Sequence, residues 1–129
     1  MPDKDVIMTD AAPTPFQGAP YSQAIAVGNL VFVAGQVPLD PGNGSLVAGG
    51  IGEQTERAFE NVKAILEAAG SGLDRLVKTT VFLANFDDFA GMNEVYARYA
   101  GDRPPARSTV EVSRLPAGAL VEIEVVAHR

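Results

Sequence analysis

Ionised residues set in the middle of strand-length, β-branched runs constrain this chain more than any other feature. Arg103-Pro104-Pro105-Ala106-Arg107-Ser108-Thr109-Val110-Glu111-Val112 and Leu120-Val121-Glu122-Ile123-Glu124-Val125-Val126 read as two β-strands. The segment Arg114-Leu115-Pro116-Ala117-Gly118-Ala119 reads as the turn between them. A period of two places Arg107, Thr109 and Glu111 on one face of the first strand and Ser108, Val110 and Val112 on the other. In the second, Val121, Ile123, Val125 and Ala127 form an apolar face, with Leu120, Glu122, Glu124 and Val126 opposite. The two prolines before Arg107 restrict its backbone, because each ring fixes φ and biases the preceding residue toward extended geometry. A carboxylate at Glu122 is unfavourable to bury without a partner. A fixed cation and a fixed carboxylate framing a small pocket are therefore expected.

The rest of the chain supplies strands and helices to carry that pair. Ala24 to Val27, a turn at Gly28-Asn29, and Leu30 to Ala34 predict a strand pair. Pro38 to Gly50, rich in Gly, Pro and Asn, predicts a loop. Ala58, Phe59, Val62, Ile65, Leu66 and Ala69 recur at helical spacing, which predicts a helix from Gly52 to Ala69 capped by Gly70. Leu76 to Leu83 predicts a strand. A second helix starts near Asp87 or Asp88, turns Phe89, Met92, Val95, Tyr96 and Tyr99 inward, and ends at Gly101. The order β-β-α-β-α-β-β predicts one α+β domain over residues 1–129, with residues 1–13 a loose arm. Two amphipathic helices each offer a single apolar stripe, so both pack on one face of a mixed sheet. The other face is left for identical chains to cover.

Composition narrows the chemistry. At 129 residues the chain can bury a core without staples, and it contains no cysteine, which removes thiolate nucleophiles, disulfides and cysteine-based metal sites. A net charge of −6 argues against a nucleic-acid partner. No run is long enough to span a membrane and no secretion signal is read, so a cytoplasmic location is expected. His128 is the only histidine, and neither a metal site nor a phosphate-cradling loop is expected. The remaining candidates are few. Arg107 offers a planar fork for a small organic acid, Glu122 could orient or deprotonate a water, and Tyr21 could add a hydroxyl or an aromatic wall.

Several stretches also resemble one family. They are Ala19-Pro20-Tyr21-Ser22-Gln23-Ala24, Gly28-Asn29-Leu30, Ala34-Gly35-Gln36-Val37-Pro38, the helix Asn61 to Gly70 and the strand Val77 to Leu83. Asp88-Phe89, Met92-Asn93, Tyr96, Pro105-Ala106-Arg107-Ser108, Val110-Glu111-Val112, Leu115-Pro116 and Val121-Glu122-Ile123-Glu124 continue the match. Over Thr14 to Arg129 the chain resembles the Rid (reactive intermediate deaminase) family, also called YjgF. The resemblance implies a chorismate-mutase-like fold and a homotrimer with clefts between subunits. It also implies cofactor-free hydrolysis of 2-imino acids to 2-oxo acids and ammonia. By the same resemblance Arg107 clamps the substrate carboxylate and Glu122 positions the attacking water. Tyr21 lines the cleft from a neighbouring chain, the backbone at Gly35 and Thr109 adds hydrogen bonds, and Asn93 is a peripheral lining residue.

Two positions depart from the family pattern. Ala34 stands where the best-characterised deaminases have a serine, and Thr109 where a cysteine is common. A non-catalytic small-carboxylate binder or sensor is the alternative reading. A single-strand ribonuclease or translation inhibitor is a third, against which the acidic charge weighs.

Overall fold

A computed structural model describes residues 3–129. One six-stranded mixed sheet runs through the chain in the order β1-β2-β3-β6-β4-β5. Its strands are β1 (Asp5–Ile7), β2 (Ala24–Val27), β3 (Leu30–Gln36), β4 (Leu76–Leu83), β5 (Ala106–Glu111) and β6 (Val121–His128). Two helices, α1 (Ile51–Ala68) and α2 (Phe89–Ala100), pack on the sheet and on each other. The expected α+β order is present with one strand added in front. No helix among the described residues is long and apolar enough to cross a membrane.

Helix α1 is closed at both ends by local chemistry. The Gly50 N–H donates to Glu53 Oε1 at 2.8 Å, so an acidic side chain sits at the positive end of the helix. At the other end Gly70 adopts φ 80°, letting Ser71 N–H reach Leu66 O at 2.8 Å and Gly70 N–H reach Glu67 O at 3.1 Å. That is the paired closure which a left-handed glycine permits. The apolar stripe buries Ala58, Phe59, Val62, Ile65 and Leu66 against Val31, Val33, Val81, Leu83, Val121 and Ile123. Helix α2 adds Met92, Val95 and Tyr96 as buried residues, while Phe89 and Tyr99 pack at the margin.

Two expectations need correction. The arm over 1–13 is not loose where it is described, because β1 pairs antiparallel with β2 (Asp5↔Ala26, Ile7↔Ala24). The buried Gln23 explains why. Its Nε2 donates to the carbonyls of Thr9, Ala12 and Pro13, and its Oε1 accepts from Thr9 N–H at 2.8 Å. Arg129 then pairs with Asp5 at 3.1 Å. The two charged C-terminal strands are also not sheet neighbours. β4 lies between them, antiparallel to β6 and parallel to β5. A parallel neighbour requires a crossover, and α2 provides it between β4 and β5.

Candidate active site

The register through β4 decides where the charged side chains point. Phe82 is opposite Glu122 on β6, whereas Thr79 is opposite Arg107 on β5. Thr79 lies under the helices, with its Oγ1 2.6 Å from the Tyr96 hydroxyl. Because alternate residues along β4 face opposite ways, Arg107 belongs to the helix-covered face and Glu122 to the open face. Within one chain, therefore, the cation and the carboxylate do not frame a single pocket. Each has its own seat.

The carboxylate seat lies on the open face beside β3. Pairing between β3 and β6 shifts register between Val33 and Gln36, so Ala34 and Gly35 form a bulge opposite Glu124. The Glu122 carboxylate lies directly over this bulge. An ideal Cβ at Gly35 would stand 2.8 Å from the Glu122 carboxyl carbon, so the carboxylate can hold this position only while residue 35 has no side chain. A cleft of about 350 Å³ opens beside it, walled by Phe16, Tyr21, Ala34, Val37 and Pro116. Phe16 N–H donates to the Tyr21 hydroxyl at 2.6 Å, which leaves the phenolic proton free to point elsewhere.

Both outer turns are strained: Gln17 (φ 54°) and Ala117 (φ 60°) take left-handed geometry that L-residues disfavour, and each precedes a left-handed glycine. Burial pushes the Glu122 carboxyl above its ordinary range, and the like charge of Glu124 raises it further.

The guanidinium seat is assembled from α2 and the edge strand β5. Arg107 Nη1 donates to Asn93 Oδ1 at 2.7 Å. The guanidinium carbon stands 4.6 Å from the centroid of the Tyr96 ring and 5.5 Å from that of Phe89. Phe89, Asn93 and Tyr96 are spaced four and three residues apart, so one helix face presents all three. Among the described residues no carboxylate lies within ion-pair distance of Arg107. Thr109 follows on the same strand face, and its buried hydroxyl has no hydrogen-bond partner. Val112 N–H donates to Leu83 O. Strand alternation then turns the amides of Ser108 and Val110 toward β4, and those of Arg107 and Thr109 toward the free edge.

Tyr21, Gly35 and Glu122 thus come together, and Arg107, Asn93 and Thr109 form a second group. Tyr21 and Glu122 line the same cleft within one chain. Asn93 is in direct contact with Arg107 rather than peripheral to it. Sequence reasoning missed Phe16 and Pro116 as walls, and Tyr96 and Phe89 as the ring floor under Arg107. The available signals were the paired turns Phe16-Gln17-Gly18 and Pro116-Ala117-Gly118, and the helical spacing of Phe89, Asn93 and Tyr96. No group of three potential metal ligands occurs among the described residues.

Comparison with known proteins gives the following similarities. A family model described as Endoribonuclease L-PSP matches residues 10–129. A RutC family protein of Pyrococcus abyssi is 56% identical over 126 residues, covering 98% of each chain. The 2-iminobutanoate/2-iminopropanoate deaminase of Mus musculus is 44% identical over 124 residues, covering 96% of this chain and 90% of that protein. The crystal structure of E. coli TdcF with bound serine matches with a TM-score of 0.91 at 39% identity, covering 97% of this chain and 98% of that one.

Proposed function

The chain belongs to the endoribonuclease L-PSP family, also known as YjgF or Rid, and from that premise we propose that it hydrolyses 2-imino acids to 2-oxo acids and ammonia. The reading is carried by one observation: an unpaired guanidinium and a desolvated carboxylate occupy opposite faces of one sheet. Neither seat is a complete site, and copies of the chain arranged around a closed axis can bring one seat against the other. Leu30, Phe32 and Val110 leave apolar surface exposed on the open face, which such an assembly would cover. A homotrimer with a cleft at each interface is accordingly part of the proposal.

The chemistry asks little of the protein. A protonated 2-imino acid is already electrophilic at C2, so catalysis reduces to positioning and one proton acceptor. Arg107 grips the substrate carboxylate with the part of its fork that Asn93 leaves free, and the outward Thr109 amide adds a donor. Glu122 from the neighbouring chain takes a proton from water as its oxygen attacks C2, giving a carbinolamine. The same carboxyl returns that proton to nitrogen, and as the C–N bond breaks the regenerated carboxylate takes the hydroxyl proton. The released ammonia carries that proton away, leaving a 2-oxo acid and a free Glu122. A carboxyl with a raised pKa suits both steps, because it gives up its proton less readily than an ordinary glutamate but more readily than water.

The test follows 2-oxobutanoate release from the imine that a threonine dehydratase produces in situ. Wild-type protein accelerates release, and Arg107→Ala loses that acceleration by about 100-fold or more while staying folded, since charged hydrogen bonds contribute roughly 1.5–3 kcal/mol each. Saturable binding of 2-oxobutanoate without any acceleration would instead identify a carboxylate-binding protein. The bound serine in E. coli TdcF keeps that second reading in play.

A further inference from the structure

The floor beneath Arg107 is tethered to the core, and the tether uses two hydroxyl groups that packing alone does not require. Tyr96 is 6% exposed, and its ring is held from three sides. The ring of Phe59 meets it edge-on at 5.4 Å and 69°, the Arg107 guanidinium stands over its face, and its hydroxyl reaches Thr79 Oγ1 at 2.6 Å. Thr79 has no solvent exposure and is the β4 residue directly opposite Arg107. A valine and a phenylalanine would fill the same volume with no polar atom to satisfy, so shape does not explain the pair. What the hydroxyl bond does add is a fixed height and tilt for the ring.

That geometry bears directly on Arg107. Asn93 holds Nη1, and among the described residues no other hydrogen bond engages the guanidinium, which leaves the Nε and Nη2 edge free. With no carboxylate to steer it, the fork takes its plane from the ring beneath and from Asn93. We propose that Thr79 and Tyr96 are positioning residues which, through the tethered ring, hold the Arg107 fork in the plane that accepts a substrate carboxylate. The proposal rests on the reading of Arg107 as the carboxylate anchor. Because the carboxylate is gripped alike in ground and transition states, loosening the fork removes uniform binding. A fork that is loosened but not removed is expected to raise KM far more than it lowers kcat, whereas removing the guanidinium in Arg107→Ala forfeits both binding and positioning.

Three single variants and one double variant test this, each read by kcat, KM, thermal midpoint and the Kd for 2-oxobutanoate. Tyr96→Phe keeps the ring and cuts the tether; Thr79→Val cuts it from the other side; Thr79→Ser restores the hydroxyl. Tyr96→Phe and Thr79→Val are each expected to raise KM and Kd by about five- to tenfold with kcat within about twofold of wild type. The double variant should be no worse than either single one, since both remove the same contact. Thr79→Ser should return KM and Kd close to wild type.

Unchanged KM and Kd in Tyr96→Phe, at whatever thermal midpoint, would reduce the pair to a structural contact and overturn the proposal. Should Thr79→Val fail to fold, the nearly isosteric Tyr96→Phe and Thr79→Ser still decide it. An Arg107→Ala control separates the two levels. If it leaves Kd unchanged, the anchor reading itself fails. If it abolishes binding while Tyr96→Phe binds normally, the positioning claim alone fails.

Discussion

The carboxylate seat is built from a strand bulge and two strained turns on the open face of the sheet, whereas the guanidinium seat is built from a helix and an edge strand on the covered face. Glu122 is placed by a backbone that comes close because Gly35 has no side chain. Arg107 is placed by side chains: an amide, two rings and, behind them, a hydroxyl tether. A seat made of backbone fails when volume is added to it. A seat made of side chains fails when contacts are removed. In the proposed reaction neither seat acts alone, because a sheet with one charge on each face does not bring both to one small molecule within a single chain.

The two seats can be separated genetically. Arg107→Ala destroys one and Glu122→Gln the other, and each variant alone should be inactive. Unfolded and refolded together, they should regain activity at interfaces where an intact Glu122 meets an intact Arg107. Random mixing leaves about a quarter of the clefts intact in a cyclic homotrimer. The measurement is the turnover of the mixed preparation relative to wild type at equal protein. No recovery from properly mixed oligomers would place both seats of a working site in one chain and discard the shared cleft.

Gly35→Ala probes the backbone-built seat with a smaller effect. The added methyl meets the end of the Glu122 side chain, and a flexible carboxylate can swing away from it. Stability should therefore change by less than about 1 kcal/mol, while turnover falls by roughly tenfold because the carboxylate no longer sits over the bulge. The diagnostic is a loss of kcat with a thermal midpoint close to wild type. Full activity in this variant would mean that the observed position of Glu122 is not the one used.

How much of this was legible in the sequence depends on the range of the interaction. The stripe from Ala58 to Ala69 and its closure at Gly70 are local, and α1 formed within a residue of the expected bounds. The charges at Arg107 and Glu122 were conspicuous because strand interiors seldom carry them. Their opposite placement was not legible, since alternation sorts the faces of one strand but not the phase between strands. That phase is set by β4, through Thr79↔Arg107 and Phe82↔Glu122. The strand Asp5–Ile7 is too short to show any alternation, and what holds the following arm is the distant Gln23 amide. The bulge was not legible either, because Gly35 follows the expected strand end at Ala34 and enters the sheet only once β3 runs on to Gln36.

The smallest expected effect concerns Glu124, the bulge's partner on β6. Two causes raise the Glu122 pKa, burial first and the Glu124 charge second. Glu122 acts as a base only when ionised, so turnover should fall as pH drops through its raised pKa. Glu124→Gln removes the second cause and leaves the first. The acid limb of the rate profile should move to lower pH, yet stay above the position of an ordinary glutamate. Added salt should shift the wild-type limb the same way and the variant less, because Glu124 is exposed and its charge is screened.

The same shift has a stability sign. The folded chain holds the Glu122 proton more tightly than the unfolded chain. This group therefore favours folding below its unfolded pKa, and that contribution is lost as pH rises through the folded value. At pH values above the limb of both proteins, turnover should differ by less than about twofold. A limb that does not move in Glu124→Gln would show that burial alone sets the base, and that the two glutamates on this face act independently.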